Sequence, residues 1–238
     1  MPLGANRAGI VSQVGDAIPD SGNLHARYDA RALSLSDGET VSSWTDVSGN
    51  ENHLSASGEP TFRDATSSSV GPVPSIDYDG SNDAHIGTFG SDVTPPYTVF
   101  FLGKYNTGSN FTVLWGDESV PSNGFRYITE NGSWRFGLRG ANGPTGGTAD
   151  TNTHIHTTLL DSGGDWYVDG TNKININNNS FNTTDLTGLV LAADNTNDTL
   201  SNYGDIELVE ILVYSVDEIA AGNRTDIESY LDRDTSLL

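Results

Sequence analysis

Three arginines, Arg126, Arg135 and Arg139, fall within fourteen positions of a chain that carries 11 basic residues against 32 acidic ones. A guanidinium binds a carboxylate or sulfate through paired hydrogen bonds, and its weak hydration keeps it effective in concentrated salt. The intervening Asn131-Gly132 predicts a hairpin with a two-residue turn. Glu130 then faces Ser133, Ile128 faces Arg135, and Arg126 faces Gly137. Alternation along the ribbon sends Phe125, Tyr127, Thr129, Trp134, Phe136 and Leu138 to a core side and the three arginines to the other. Two uses of that positive face stay open. The arginines pair with aspartates on neighbouring strands, or they bind an anionic ligand such as an acidic surface sugar.

Other residues point to other chemistry. His154 and His156 are two apart, so a strand presents both imidazoles on one face. That is half of a metal site or part of a ligand surface, and two polar residues on an exposed face explain it as well. Asp46, Asn50 and Asn52 offer hard oxygens at alternating positions, which suits Ca²⁺, the only cofactor the sequence suggests. Asp46, Ser48 and Asn50 equally suit a turn that bonds back to its own backbone. Glu207 and Glu210 are three apart and are expected on opposite faces of a strand, so they do not form a catalytic pair. With no cysteine and no serine-nucleophile motif, the chain is not expected to be an enzyme.

These residues need strands to position them. "LHARYDA", "SIDYDG", "YTVFFLGKY" and "ELVEILVY" read as strands, the last two apolar enough to lie centrally. Asp37-Gly38, Asp79-Gly80, Asn131-Gly132 and Asp169-Gly170 punctuate them as turns. The pattern predicts an all-β sandwich. One helix is expected near the C-terminus. Ser215 and Glu218 have capping-box spacing, and Gly222-Asn223 divides a short turn from a segment near 224–233. Residues 1–23 read as an N-terminal arm for anchoring or assembly, and residues 24–238 as one domain.

A formal charge of −21 on 238 residues comes mainly from missing lysine. In molar salt the Debye length falls to about 3 Å and self-repulsion fades, so the composition predicts a halophilic setting. It also argues against nucleic acid as a partner. No apolar run is long enough to insert in a membrane. Six N-x-S/T sequons, beginning at Asn110, Asn131, Asn178, Asn182, Asn197 and Asn223, are close to chance for this composition.

"WTDVSGNENHL", Trp44 to Leu54, resembles a segment of the concanavalin A-like lectin/glucanase superfamily, in its laminin-G-like branch. "IDYDGSND", "DWYVDGTN" and "GDIELVEILVYS" with "IESYL" resemble further segments of that family, in the same order. The resemblance covers roughly residues 24–233. It implies a jelly-roll sandwich of two antiparallel sheets that binds carbohydrate or protein, some members carrying calcium at a rim. The E-x-D-x-x-E strand of the glucanase branch is absent. The N-terminus lacks an export signal, yet a lectin-like domain meets glycans outside cells. A virion reconciles the two: a turret, decoration or tail-fibre subunit of a virus of a halophilic, haloarchaeal host. It would bind host-cell surface glycan through Arg126, Arg135, Arg139, His154 and His156, contact other virion proteins through the arm, and form a homo-oligomer at the virion surface. The alternatives are an architectural capsid or tail cement protein without glycan binding, and a secreted polysaccharide-binding or -degrading protein.

Overall fold

The computed structural model describes residues 17–106, 112–113, 125–130, 132–138, 145–161, 163–176, 185–196 and 199–238, with backbone alone at 112–113, 125–130, 136–138, 176 and 196. Two layers of antiparallel strands enclose the main core, as the pattern of strands and turns predicts. The first layer is an eight-stranded sheet in the order Thr171–Ile176, Gly164–Val168, Thr153–Leu160, Tyr97–Tyr105, Asp205–Tyr214, Ser75–Asp79 and Thr61–Arg63. Leu24–Asp29 also pairs with Asp205–Tyr214, beyond the end of Ser75–Asp79. The second layer is divided. One four-stranded sheet runs Leu186–Leu191, Ala84–Val93, Leu54–Ser57, Ser43–Trp44; the other runs Thr145–Thr148, Ser133–Leu138, Phe125–Glu130, Thr112–Val113.

The two central strands are central because both faces are covered. Between the layers lie Tyr28, Trp44, Phe101, Tyr105, Trp134 and Trp166, all buried. On the outer face of the large sheet, Phe100, Leu102, Ile155, Val209, Leu212 and Tyr214 pack under the helix Arg224–Leu231 through Ile227, Tyr230 and Leu231. Trp44, at the head of the W-x-D-x-S-G-N segment, is fully buried in the core. Gly146 lets the smaller sheet approach closely. A Cβ there would stand 2.5 Å from Trp166 and 2.8 Å from Ile174.

Two local expectations are corrected. The capping box does not form: Ser215 Oγ donates to Asn23 O (3.2 Å) and Glu218 N donates to Thr98 Oγ1 (3.0 Å). Asp217 instead accepts from the N–H groups of Ile219 (2.9 Å) and Ala220 (2.8 Å), and the helix begins at Arg224. Glu207 and Glu210 are not on opposite faces. The register against Tyr97–Tyr105 shifts between Leu208 and Glu210, and this bulge turns Glu210 to the outer, helix-covered side that Glu207 also faces.

Candidate functional site

The W-x-D-x-S-G-N-x-N segment folds as a turn fastened to the first strand, Leu24–Asp29. Gly49 has φ 99° and Glu51 φ 59°, a left-handed path that brings four donors onto one carboxylate. Asp46 Oδ1 accepts from Arg27 N (2.9 Å) and Ser48 N (2.8 Å), and Oδ2 from Ser48 Oγ (2.9 Å) and Asn52 N (3.0 Å). Asn50 Nδ2 donates to Leu24 O (3.1 Å) and His25 O (3.0 Å), and Asn52 Nδ2 to His25 O (2.9 Å). Asn52 Oδ1 accepts from Gly90 N (2.9 Å). The self-bonded turn is therefore realised, and the oxygens of Asp46 considered for Ca²⁺ are all engaged by protein donors. Among the described residues no group of three or more His, Cys, Asp or Glu is placed to hold a metal ion.

Beside this turn the rim of the sandwich opens into a cleft of about 570 Å³. Four separate segments meet there: Asn23 and His25, then Ser48, Asn50 and Asn52, then Gly90 and Ser91, and finally Ser215. Among the described residues none of its lining is charged. The His25 ring packs on Phe89, with centroids 4.8 Å apart. Burial, partly opposed by Asp46 and the Ser91 main chain, holds its pKa below the usual imidazole value. Its Nε2 is buried beside Ser91 without a well-formed hydrogen bond. Sequence reasoning found Asn50 and Asn52 here through the motif, but missed Asn23, His25, Ser91 and Ser215, which carry no shared local pattern.

The arginine hairpin has the expected register. Glu130 pairs with Ser133, Ile128 with Arg135 and Gly137 with Arg126. Trp134 is buried among Tyr105, His156 and Trp166, so its side of the ribbon is core, and Arg135, half-buried, lies on the alternate side. The Arg126 side chain and Arg139 lie outside the described residues. Elsewhere arginines serve the fold. Arg27, Arg31 and Arg233 surround the buried Glu210 at 2.8–2.9 Å, Arg63 meets Asp77 at 2.8 Å, and Arg224 meets Glu228 at 2.7 Å.

The histidines do not lie on an exposed face. His156 is buried and stacked on Phe101, with centroids 4.3 Å apart and an interplanar angle of 8°. Desolvation, helped by His154, pushes its pKa well down, so it is a neutral core ring. His154 Nδ1 meets Asp169 Oδ2 at 2.6 Å and Nε2 meets Asp150 Oδ1 at 2.9 Å. Burial works against its protonation, but the two carboxylates outweigh it and raise its pKa. The strand carries both inward because the small sheet, through Trp134, covers that part of the large one. His156 is sealed from solvent, and both ring nitrogens of His154 are taken up by carboxylates. Glu207 is likewise engaged, accepting from the serine hydroxyls of Ser69 (2.5 Å) and Ser75 (2.7 Å).

No family model matches the chain, and no curated protein does. Solved structures match its shape at low identity. Trypanosoma rangeli sialidase in complex with sialic acid aligns with a TM-score of 0.62 and 13% identity, over 92% of this chain and 34% of the sialidase. Domain 4 of AbnA, a GH43 extracellular arabinanase from Geobacillus stearothermophilus, in complex with arabinotriose, gives 0.60 and 15%, over 81% of this chain and 92% of that one. The binding domain of botulinum neurotoxin serotype D/C gives 0.63 and 9%, over 91% and 53%. The fold is an all-β, jelly-roll-like sandwich of antiparallel sheets. This chain thus spans about a third of the sialidase and about half of the toxin domain, and the likeness is one of fold.

Proposed function

We propose that the chain is a non-enzymatic glycan-binding module whose ligand lies in the rim cleft. The observation that carries this reading is the lining: amide, hydroxyl and imidazole groups from four segments, with no charged side chain, in a protein with 43 charged residues out of 238. Polar groups converging in a concavity are what orient a small ligand. The sandwich shape is also shared with a domain solved with arabinotriose. Absence of catalysis is supported by the carboxylates already described: Glu207 is taken up by serines and Glu210 by three arginines. We place the module on a virion surface in a halophilic system, with residues 1–23 as its assembly contact; the acidic, lysine-poor composition supports the salt.

The reading is tested on an oligosaccharide array in molar salt. Ser215→Trp and Ser91→Trp fill the cleft from exposed rim positions and should abolish binding, whereas Arg135→Ala should not. Loss on Arg135→Ala with retention in both tryptophan variants moves the site to the arginine face. Steady release of reducing sugar from any bound oligosaccharide would make the protein an enzyme.

A further inference from the structure

We propose that the rim cleft selects uncharged, hydroxyl-rich saccharides over sugars bearing carboxylate or sulfate; the inference rests on the glycan reading above. It reverses the expectation drawn from the arginines, which favoured an acidic sugar.

The protein's own hydrogen bonds decide which side-chain groups the cleft has left to offer. Asn50 spends its amide nitrogen on two carbonyls, those of Leu24 and His25, and keeps Oδ1. Asn23 Nδ2 donates to Asp20 Oδ2 at 2.8 Å, again leaving Oδ1. Ser215 Oγ gives its hydrogen to Asn23 O and retains lone pairs. The Ser48 hydroxyl donates to Asp46 and accepts from Asn50 N, and both ends of the Asn52 amide are engaged. The remaining side-chain donors are the second amide hydrogens of Asn23 and Asn52 and the hydroxyls of Ser21 and Ser91. Asn23 Oδ1, Asn50 Oδ1 and Ser215 Oγ are thus left able only to accept. A sugar hydroxyl donates as well as accepts, while a carboxylate or sulfate only accepts and would meet lone pairs with lone pairs.

Fixed charge acts in the same direction. The acidic groups tied to the lining are the Asp46 carboxylate, bonded to Ser48 and Asn52, and Asp20, bonded to Asn23. Among the described residues no lysine or arginine lines the cleft. Arg27, two residues from His25, turns its guanidinium to Glu210 and Asp29 on the other face of the large sheet. Salt screens the overall −21 charge but not contacts at hydrogen-bond distance, so the discrimination should survive molar salt.

The test is an array of neutral oligosaccharides printed beside their C6-oxidised, uronate-bearing counterparts, read at 0.15 M and 2 M salt with the full chain, Ser215→Trp and Ser91→Lys. Neutral ligands should bind, and the oxidised partners should bind at least about tenfold more weakly at both salts. Ser91→Lys, which adds a donor and a charge at the rim, should narrow the gap. Oxidised ligands binding equally or better, with binding lost in Ser215→Trp, would overturn the selectivity while leaving the cleft as the glycan site. Binding untouched by Ser215→Trp, or no glycan bound at all, would remove the cleft reading and this inference with it.

Discussion

Replacing Glu218 by Gln probes the junction where the segment entering the sandwich meets the loop leaving it. Glu218 is fully buried, and its Oε1 has no hydrogen-bond partner. Oε2 accepts from Asn223 Nδ2 at 2.8 Å, and that same amide reaches Asp20 Oδ2 at 3.4 Å. Desolvation raises the Glu218 pKa; the Asn223 bond opposes this and the Asp20 charge adds to it, leaving the group pushed up to about 7 from 4.5. A carboxyl raised in the folded state binds protons there that it releases when unfolded. Between pH 4.5 and 7 the native state therefore holds more protons, and stability falls as pH rises, with the loss complete above 7. The whole shift corresponds to about 3 kcal/mol, and solvent reaching the Asp20 side reduces this to about 1–2 kcal/mol. Glutamine keeps the neutral state, and its side-chain oxygen can still accept from Asn223 Nδ2. Glu218→Gln should match the wild type near pH 4.5 and exceed it by about 1–2 kcal/mol at pH 8.5. Urea unfolding at both pH values in constant molar salt measures the difference, in which other titrating groups cancel. A difference that does not change with pH, or one that changes with the opposite sign, refutes the reasoning.

Glu210→Gln leaves Arg27, Arg31 and Arg233 gathered around a neutral group, and should cost about 3–5 kcal/mol in denaturant unfolding because buried charge loses its counterpart. His154, raised by Asp169 and Asp150, contributes stability fully present below its unfolded pKa and lost as pH rises through its higher native value. His154→Asn should flatten the stability profile above pH 6.5, and an imidazole NMR titration should show the elevated midpoint directly. The Asp46 carboxylate already accepts from four donors, so adding Ca²⁺ or EDTA should leave the melting temperature unchanged; a rise with Ca²⁺ would show that the turn opens to take the ion.

Much of the architecture was legible because its signals are local. Alternation and turn residues identify the strands, and Asn131-Gly132 gives the hairpin its register by turn length alone. The Trp44–Asn52 turn was readable for the same reason: its donors and acceptors lie a few residues apart, and Gly49 supplies the left-handed step. The helix was placed correctly but its cap was not, since Thr98, distant in sequence, takes the N–H of Glu218.

What the sequence by itself determined is the class of structure, a predominantly acidic β sandwich, because periodicity and composition are properties of neighbouring residues. Tertiary structure alone decided which polar groups stay open at the surface and which are buried or bonded within the fold. Nothing local distinguishes His156, sealed between aromatic rings, from a histidine on an open strand face, and a single bulge moved Glu210 to the side of Glu207. The cleft exists only because four segments converge at the rim, and the donors and acceptors it leaves open are set by hydrogen bonds made across up to 192 residues of chain. Such contacts depend on packing, which no stretch of sequence encodes alone.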